Sequence, residues 1–121
     1  MFKLYYINYV LKIINVMVKY SVYQLVNHNK LFMDYEFTIK EWGEPDLSEY
    51  KNIYDGKVDV KEIKGNEIYH VLDDIFRLHN LKHVEGYKGH SLSVSDIIYI
   101  DTFGYYFVDD IGFVKLKNDV G

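Results

Sequence analysis

Glu67-Ile-Tyr-His-Val-Leu-Asp-Asp-Ile-Phe-Arg-Leu-His-Asn80 is the stretch on which the fold turns. Ile68, Val71, Leu72, Ile75, Phe76 and His79 recur at spacings of three and four, the period of one helical face, while Glu67, Asp73 and Arg77 take the polar side. Asn66 stands where an N-cap is wanted, and Asn80 and Gly86 stop the pattern. The spacing predicts a helix over 67–80 whose apolar stripe must be buried against another layer.

Downstream, three short apolar runs, Val94–Ile100, Tyr105–Asp109 and Gly112–Leu116, are separated by Gly104 and by Asp110–Gly112, which suit tight turns. They predict an antiparallel three-strand meander. Upstream, Val18, Tyr20, Val22 and Gln24 alternate with Lys19, Ser21, Tyr23 and Leu25, and Asn27-His28-Asn29 ends the run, as expected of a strand. Tyr35-Glu-Phe-Thr-Ile39 alternates over a shorter stretch. Trp42–Asp46 reads as a turn, with Pro45 and its flanking acids starting a short helical piece through Tyr50. Val58, Val60 and Ile63 suggest a strand after a turn at Asp55-Gly56. The sum is an α+β fold: one main helix packed on a mostly antiparallel sheet that ends in the meander.

The 121 residues have one domain's length and include no cysteine, which excludes a disulfide scaffold, zinc–thiolate sites and thiol catalysis. With 49% apolar residues and a net charge of −4, the chain lacks the signature of disorder and is poorly suited to generic nucleic-acid binding. The charge is uneven. Residues 1–33 carry four Lys and no acid; residues 34–76 carry twelve acids against five Lys. The 13 tyrosines suit an interface of rigid amphipathic anchors, and a coding bias toward AT-rich codons accounts for them equally well. Residues 1–16 are apolar but interrupted by Lys3, Asn8, Lys12 and Asn15, too short for a membrane span and without a signal-peptide cleavage site. They read either as an extra element or as an extension before a start at Met17, with a single domain over 17–121 and a cytoplasmic location.

Four runs resemble the YodL-like domain of bacterial plasmid, conjugative-element and phage proteins. They are Val18-Lys-Tyr-Ser-Val-Tyr-Gln-Leu25, Leu72-Asp-Asp-Ile-Phe76, Gly89-His-Ser-Leu-Ser-Val-Ser-Asp-Ile-Ile98 and Tyr106-Phe-Val-Asp-Asp-Ile-Gly-Phe113. Gly89–Ile98 is the most specific run, and its Gly89, His90, Ser91, Leu92, Ser93 and Asp96, with Gly112 and Phe113, form the family motif. Val84 and Asp110 depart from similar sequences, which often have Pro and Ser there. The resemblance brings no catalytic residues with it. Members accompany modules thought to counter host defences, so the resemblance implies a small accessory or anti-defence protein of a mobile element, such as an anti-CRISPR.

The reactive side chains offer little by themselves. His90, Ser91, Ser93, Ser95 and Asp96 include every residue type of a hydrolase triad, but they crowd within seven residues and lack Gly-x-Ser-x-Gly. A Ser/Asp-rich turn is the plainer reading. His79, His83 and His90 fall at spacings of four and seven without a fixed acid, so no metal is expected. Asp73-Asp74 and Asp109-Asp110 are adjacent pairs that split between faces, and Asp101 with Asp109 and Asp110 reads as solvated turn acids. No phosphate loop follows Gly86 or Gly89, and no cofactor is expected.

Three functions stay open on this reading. One is a non-enzymatic protein binder that occupies a nucleic-acid-binding surface on a host defence protein, such as a CRISPR effector nuclease, without contacting nucleic acid or membrane itself. The others are a small enzyme or ligand-binding domain built around Gly89–Asp96, and a structural accessory domain. For the first, the expected contacts are Trp42 and Tyr50 as anchors, with Glu41, Glu44, Asp46 and Glu49 meeting Lys or Arg on the partner.

Overall fold

The computed structural model describes residues 16–60 and 67–117. The segment 1–15, Ile63 and the Asn66 cap lie outside them. In chain order the elements are β1 (Val16–Leu25), α1 (Tyr35–Trp42), β2 (Tyr50–Val60), α2 (Glu67–Leu81), β3 (Ile97–Ile100), β4 (Gly104–Val108) and β5 (Phe113–Lys115). One turn of 3-10 helix precedes α1 at His28–Lys30 and another follows it at Leu47–Glu49. The strands form one sheet in the order β2-β1-β3-β4-β5, every neighbour antiparallel. The fold is α+β, with the main helix and the meander where the sequence puts them.

Alternation along the strands divides the interior between two faces. Val18, Tyr20 and Val22 of β1, Ile98 and Ile100 of β3, and Tyr106 and Val108 of β4 join Ile68, Val71, Leu72 and Ile75 of α2 in the main core. Ile97 and Phe107, one residue out of phase, belong to a smaller core with Leu116, against which Tyr35, Leu47 and Tyr50 pack. The smaller core is closed by α1 and the Leu47–Glu49 turn, which explains why β3 and β4 are apolar at consecutive positions rather than at alternate ones.

Two expectations are corrected. Residues 35–39 are helical, not extended: Asp34 caps α1 by accepting from the Phe37 amide at 2.8 Å, and Tyr35, Thr38 and Ile39 are the partly buried positions, a helical spacing. Gly43 ends the helix at φ 87°, a conformation that a side chain resists. Asp55-Gly56 makes no turn either. It lies inside β2 opposite Ser21 and Tyr20, with Ser21 Oγ donating to Asp55 at 2.6 Å. Gly56 is covered by the ring of Tyr54, which leans across it toward Tyr20 and His79. A bulge adds Ile53 between the pairs Val22–Tyr54 and Tyr23–Asn52, so that both Ile53 and Tyr54 pack into the main core.

Candidate functional site

The loop from α2 to β3 is fixed to the core by its own backbone. Asn80, near the end of α2, donates to the Leu92 carbonyl at 2.9 Å and accepts from the Leu92 amide at 2.8 Å, and the Leu92 side chain is buried. Gln24, on the inward face of β1 and only 4% exposed, grips the next segment. Its Oε1 accepts from the His90 amide at 3.1 Å, and its Nε2 donates to the His90 carbonyl and to Asp96 Oδ2, both at 2.9 Å. Tyr87 donates its hydroxyl to the same His90 carbonyl at 2.8 Å. Gly89 is required here because a Cβ would overlap the Gln24 amide and the Ile53 terminal methyl. Gly89→Ala is accordingly expected to cost about 1–3 kcal/mol of stability by overpacking. Chemical denaturation measures it, and an unchanged midpoint would mean that the loop does not close on β1.

Asp96 is the centre of this arrangement. It is 0% exposed; Oδ2 accepts from Gln24 and from the Ser93 amide at 2.8 Å, whereas Oδ1 has no partner. Burial pushes its carboxyl up to about 7, against the lowering pull of the hydrogen bonds from Ser93 and Gln24. Beside it, Ser95 and Phe32 both adopt positive φ (84° and 67°), unusual for residues with side chains. The Phe32 amide donates to Ser95 Oγ at 3.0 Å, and the Tyr50 hydroxyl donates to the Ser95 carbonyl at 2.7 Å. Burial pushes the Tyr50 and Tyr87 hydroxyls up, so both stay neutral.

No hydrolase relay is assembled from these residues. His90 directs Nδ1 at the Ser91 carbonyl, 2.7 Å away; Ser93 Oγ also donates to that carbonyl, and Ser95 Oγ serves Phe32. The exposed face of His90 meets Phe32 edge-on. His79 is turned into the core instead, within 2.7 Å of the Tyr20 hydroxyl and boxed by the rings of Tyr54 and Tyr87, and burial lowers its pKa. Among the described residues no three potential ligands gather at a metal site. Asp109 ties the first amide of α1 to the β4–β5 turn by accepting from Tyr35 and Asp110, at the opposite end of β4 from Asp101. Gly112 serves that turn with φ 77°, and Phe113 packs edge-on against Phe76.

The other feature is the surface around α1. Phe37 and Trp42 are 42% and 41% exposed and meet edge-on at 5.7 Å. Lys30 lies 5.2 Å from the centre of the Trp42 ring and pairs with Glu49 at 2.9 Å. Not all the expected contact residues are equally available. Asp46 caps the Leu47–Glu49 turn through the Ser48 amide, which lowers its pKa, and Glu44 accepts from the Tyr35 hydroxyl. Tyr50 packs against the smaller core and supports the loop rather than projecting. Glu36, Glu41 and Glu44 are exposed. The hollow beside Trp42, lined by Thr38, Pro45 and Glu49 among others, encloses about 30 Å³, room for water and far below the roughly 300 Å³ at which ligand sites begin.

The sequence matches the model of the YodL-like domain over residues 19–118, from β1 through β5. The chain belongs to the YodL-like domain family. No curated protein and no solved structure shows significant similarity to it. In this YodL-like domain the Gly89–Ile98 run is held in place by packing: Gly89 lies on Gln24 and Ile53, Leu92 enters the core, and Asp96 joins loop to strand. The sequence holds one sign of that joint, a Gln at an inward strand position after three apolar ones. Nothing in it marks Tyr87, Phe32 or the Tyr20–His79 pair as partners.

Proposed function

We propose that this YodL-like domain is a non-enzymatic protein-binding module of a bacterial mobile genetic element, carried by plasmid or phage and acting in the cytoplasm. It works by stoichiometric occupation of the basic nucleic-acid-binding surface of a host defence nuclease, of which a CRISPR effector is the foremost candidate. The observation that carries this reading is the α1 surface. Two half-exposed aromatic rings stand among the exposed acids Glu36, Glu41 and Glu44, beside a hollow too small for a substrate. Aromatic anchors within a charged rim suit a protein partner, and carboxylates suit a surface evolved for phosphates. Lys30 and Glu49 pair and cancel, so the charge of this surface is set by Glu36, Glu41 and Glu44 against the exposed Lys40.

The test is a pull-down from the bacterial host, followed by binding measurements with the recovered partner. Glu36→Lys and Glu41→Lys together should slow association several-fold and flatten its salt dependence. Trp42→Ala should speed dissociation. Glu44, Asp46 and Glu49 are left unchanged because reversing them would disturb the Tyr35 hydrogen bond, the cap and the ion pair. Inhibition that saturates at one equivalent of protein supports the reading. A partner bound equally by wild type and variants removes this surface from it, and turnover at substoichiometric protein moves the domain to the enzymes.

A further inference from the structure

Asp96 joins three parts of the molecule without a compensating charge. Gln24 reaches it from β1 and the Ser93 amide from its own loop, and its backbone carbonyl accepts from Val108 of β4 at 2.8 Å. The titratable groups that face it are Tyr50 of β2 and Tyr87 of the loop, both neutral phenols, with His90 on the far side of the Gln24 amide. Among the described residues no Lys, Arg or His lies within ion-pair distance of it. An ionised carboxylate here is therefore buried with two donors on one oxygen and none on the other. The backbone beside it is held at positive φ at Ser95, a conformation sustained by hydrogen bonds to Val108, Phe32 and Tyr50.

We infer that the Gly89–Asp96 loop is a proton-operated clasp, shut on Gln24 and Tyr50 by a proton on Asp96 and released when that proton is lost. Opening lets water reach the carboxylate and lets Ser95 relax, which frees the Phe32 amide just ahead of the α1 cap. The inference is independent of any partner. Its sign follows from linkage. The closed loop holds Asp96 with a pKa of about 7, and the open loop returns it toward the ordinary 3.8. The closed form thus binds the proton more tightly, and its advantage is complete below the open-state value. Between the two values each pH unit raises the open fraction about tenfold, and above the closed-state value the dependence levels off.

Hydrogen exchange of the full chain, corrected for the intrinsic pH dependence of exchange, reads this directly. Protection of the His90, Ser93 and Asp96 amides should fall about 50-fold from pH 5 to pH 7 and level about twofold lower above that. In Asp96→Asn, which keeps an acceptor for Gln24 and Ser93 but carries no charge, protection should be flat over the same range. A carbon-13 titration of the Asp96 carboxyl in the wild type supplies a readout that needs no variant, with a midpoint expected near neutrality. A midpoint in the ordinary carboxylate range, or loop protection as pH-dependent in the variant as in the wild type, overturns the clasp. His79 responds in the opposite sense, since burial lowers its pKa, and comparison at equal pH cancels it.

Discussion

Ile75→Ala is expected to lower the unfolding free energy by about 3–5 kcal/mol, a large part of what holds a domain of this size together. Ile75 is fully buried on the inward face of α2, within the cluster that joins the helix to β1, β3 and β4. Removing its side chain leaves a void between two rigid layers, the helix above and the sheet below, neither of which can close on it. Phe76, one residue on, is only partly buried against Phe113, so Phe76→Ala should cost less although it deletes more atoms. Urea unfolding followed by circular dichroism measures both. The reverse order would mean that α2 presents a different face to the sheet.

Gln24→Leu should cost about 2 kcal/mol at pH 5, where the loop is shut, despite burying a similar volume of more apolar side chain. It orphans the His90 amide outright and leaves Asp96 Oδ2 with the Ser93 amide alone. The His90 carbonyl keeps Tyr87. Each buried group left without a partner costs about 1–3 kcal/mol. The loss should shrink at pH 8, where the released loop no longer engages Gln24. A loss under about 0.5 kcal/mol at both pH values would show that Gln24 is incidental to the loop.

What the sequence disclosed follows from the range of the forces involved. The period of Ile68 through His79 and the alternation of Val18 through Gln24 are local signals, and both survive in α2 and β1. Tyr35–Ile39 misleads because five residues sample both periods, and the Asp34 cap and Gly43 stop decide between them. Asp55-Gly56 resembles a hairpin turn, yet β1 extends past it and recruits it into the sheet. The acidic, aromatic character around Trp42 was legible as composition. That Asp46, Glu49 and Tyr50 are held by Ser48, Lys30 and Ser95 was not, because those bonds depend on backbone positions set by the fold. The Gln24–Asp96 joint was out of reach for the same reason, since it links the first strand to a loop beyond the main helix.

The place of β1 also bears on how the domain is made. It is the first described strand of the chain and the second of the sheet, with β2 on one side and β3 on the other, Tyr20 lying opposite both Gly56 and Ile100. During synthesis β2 emerges early and can cover one side. The other side waits until α2 and the whole Gly89–Asp96 loop have left the ribosome, about 15 seconds at the slower translation rates of about 5 residues per second. Through that interval a Val- and Tyr-rich edge stands unpaired, and its closing contact is among the most distant in sequence. Slower maturation is the expected cost of placing the first described strand inside the sheet.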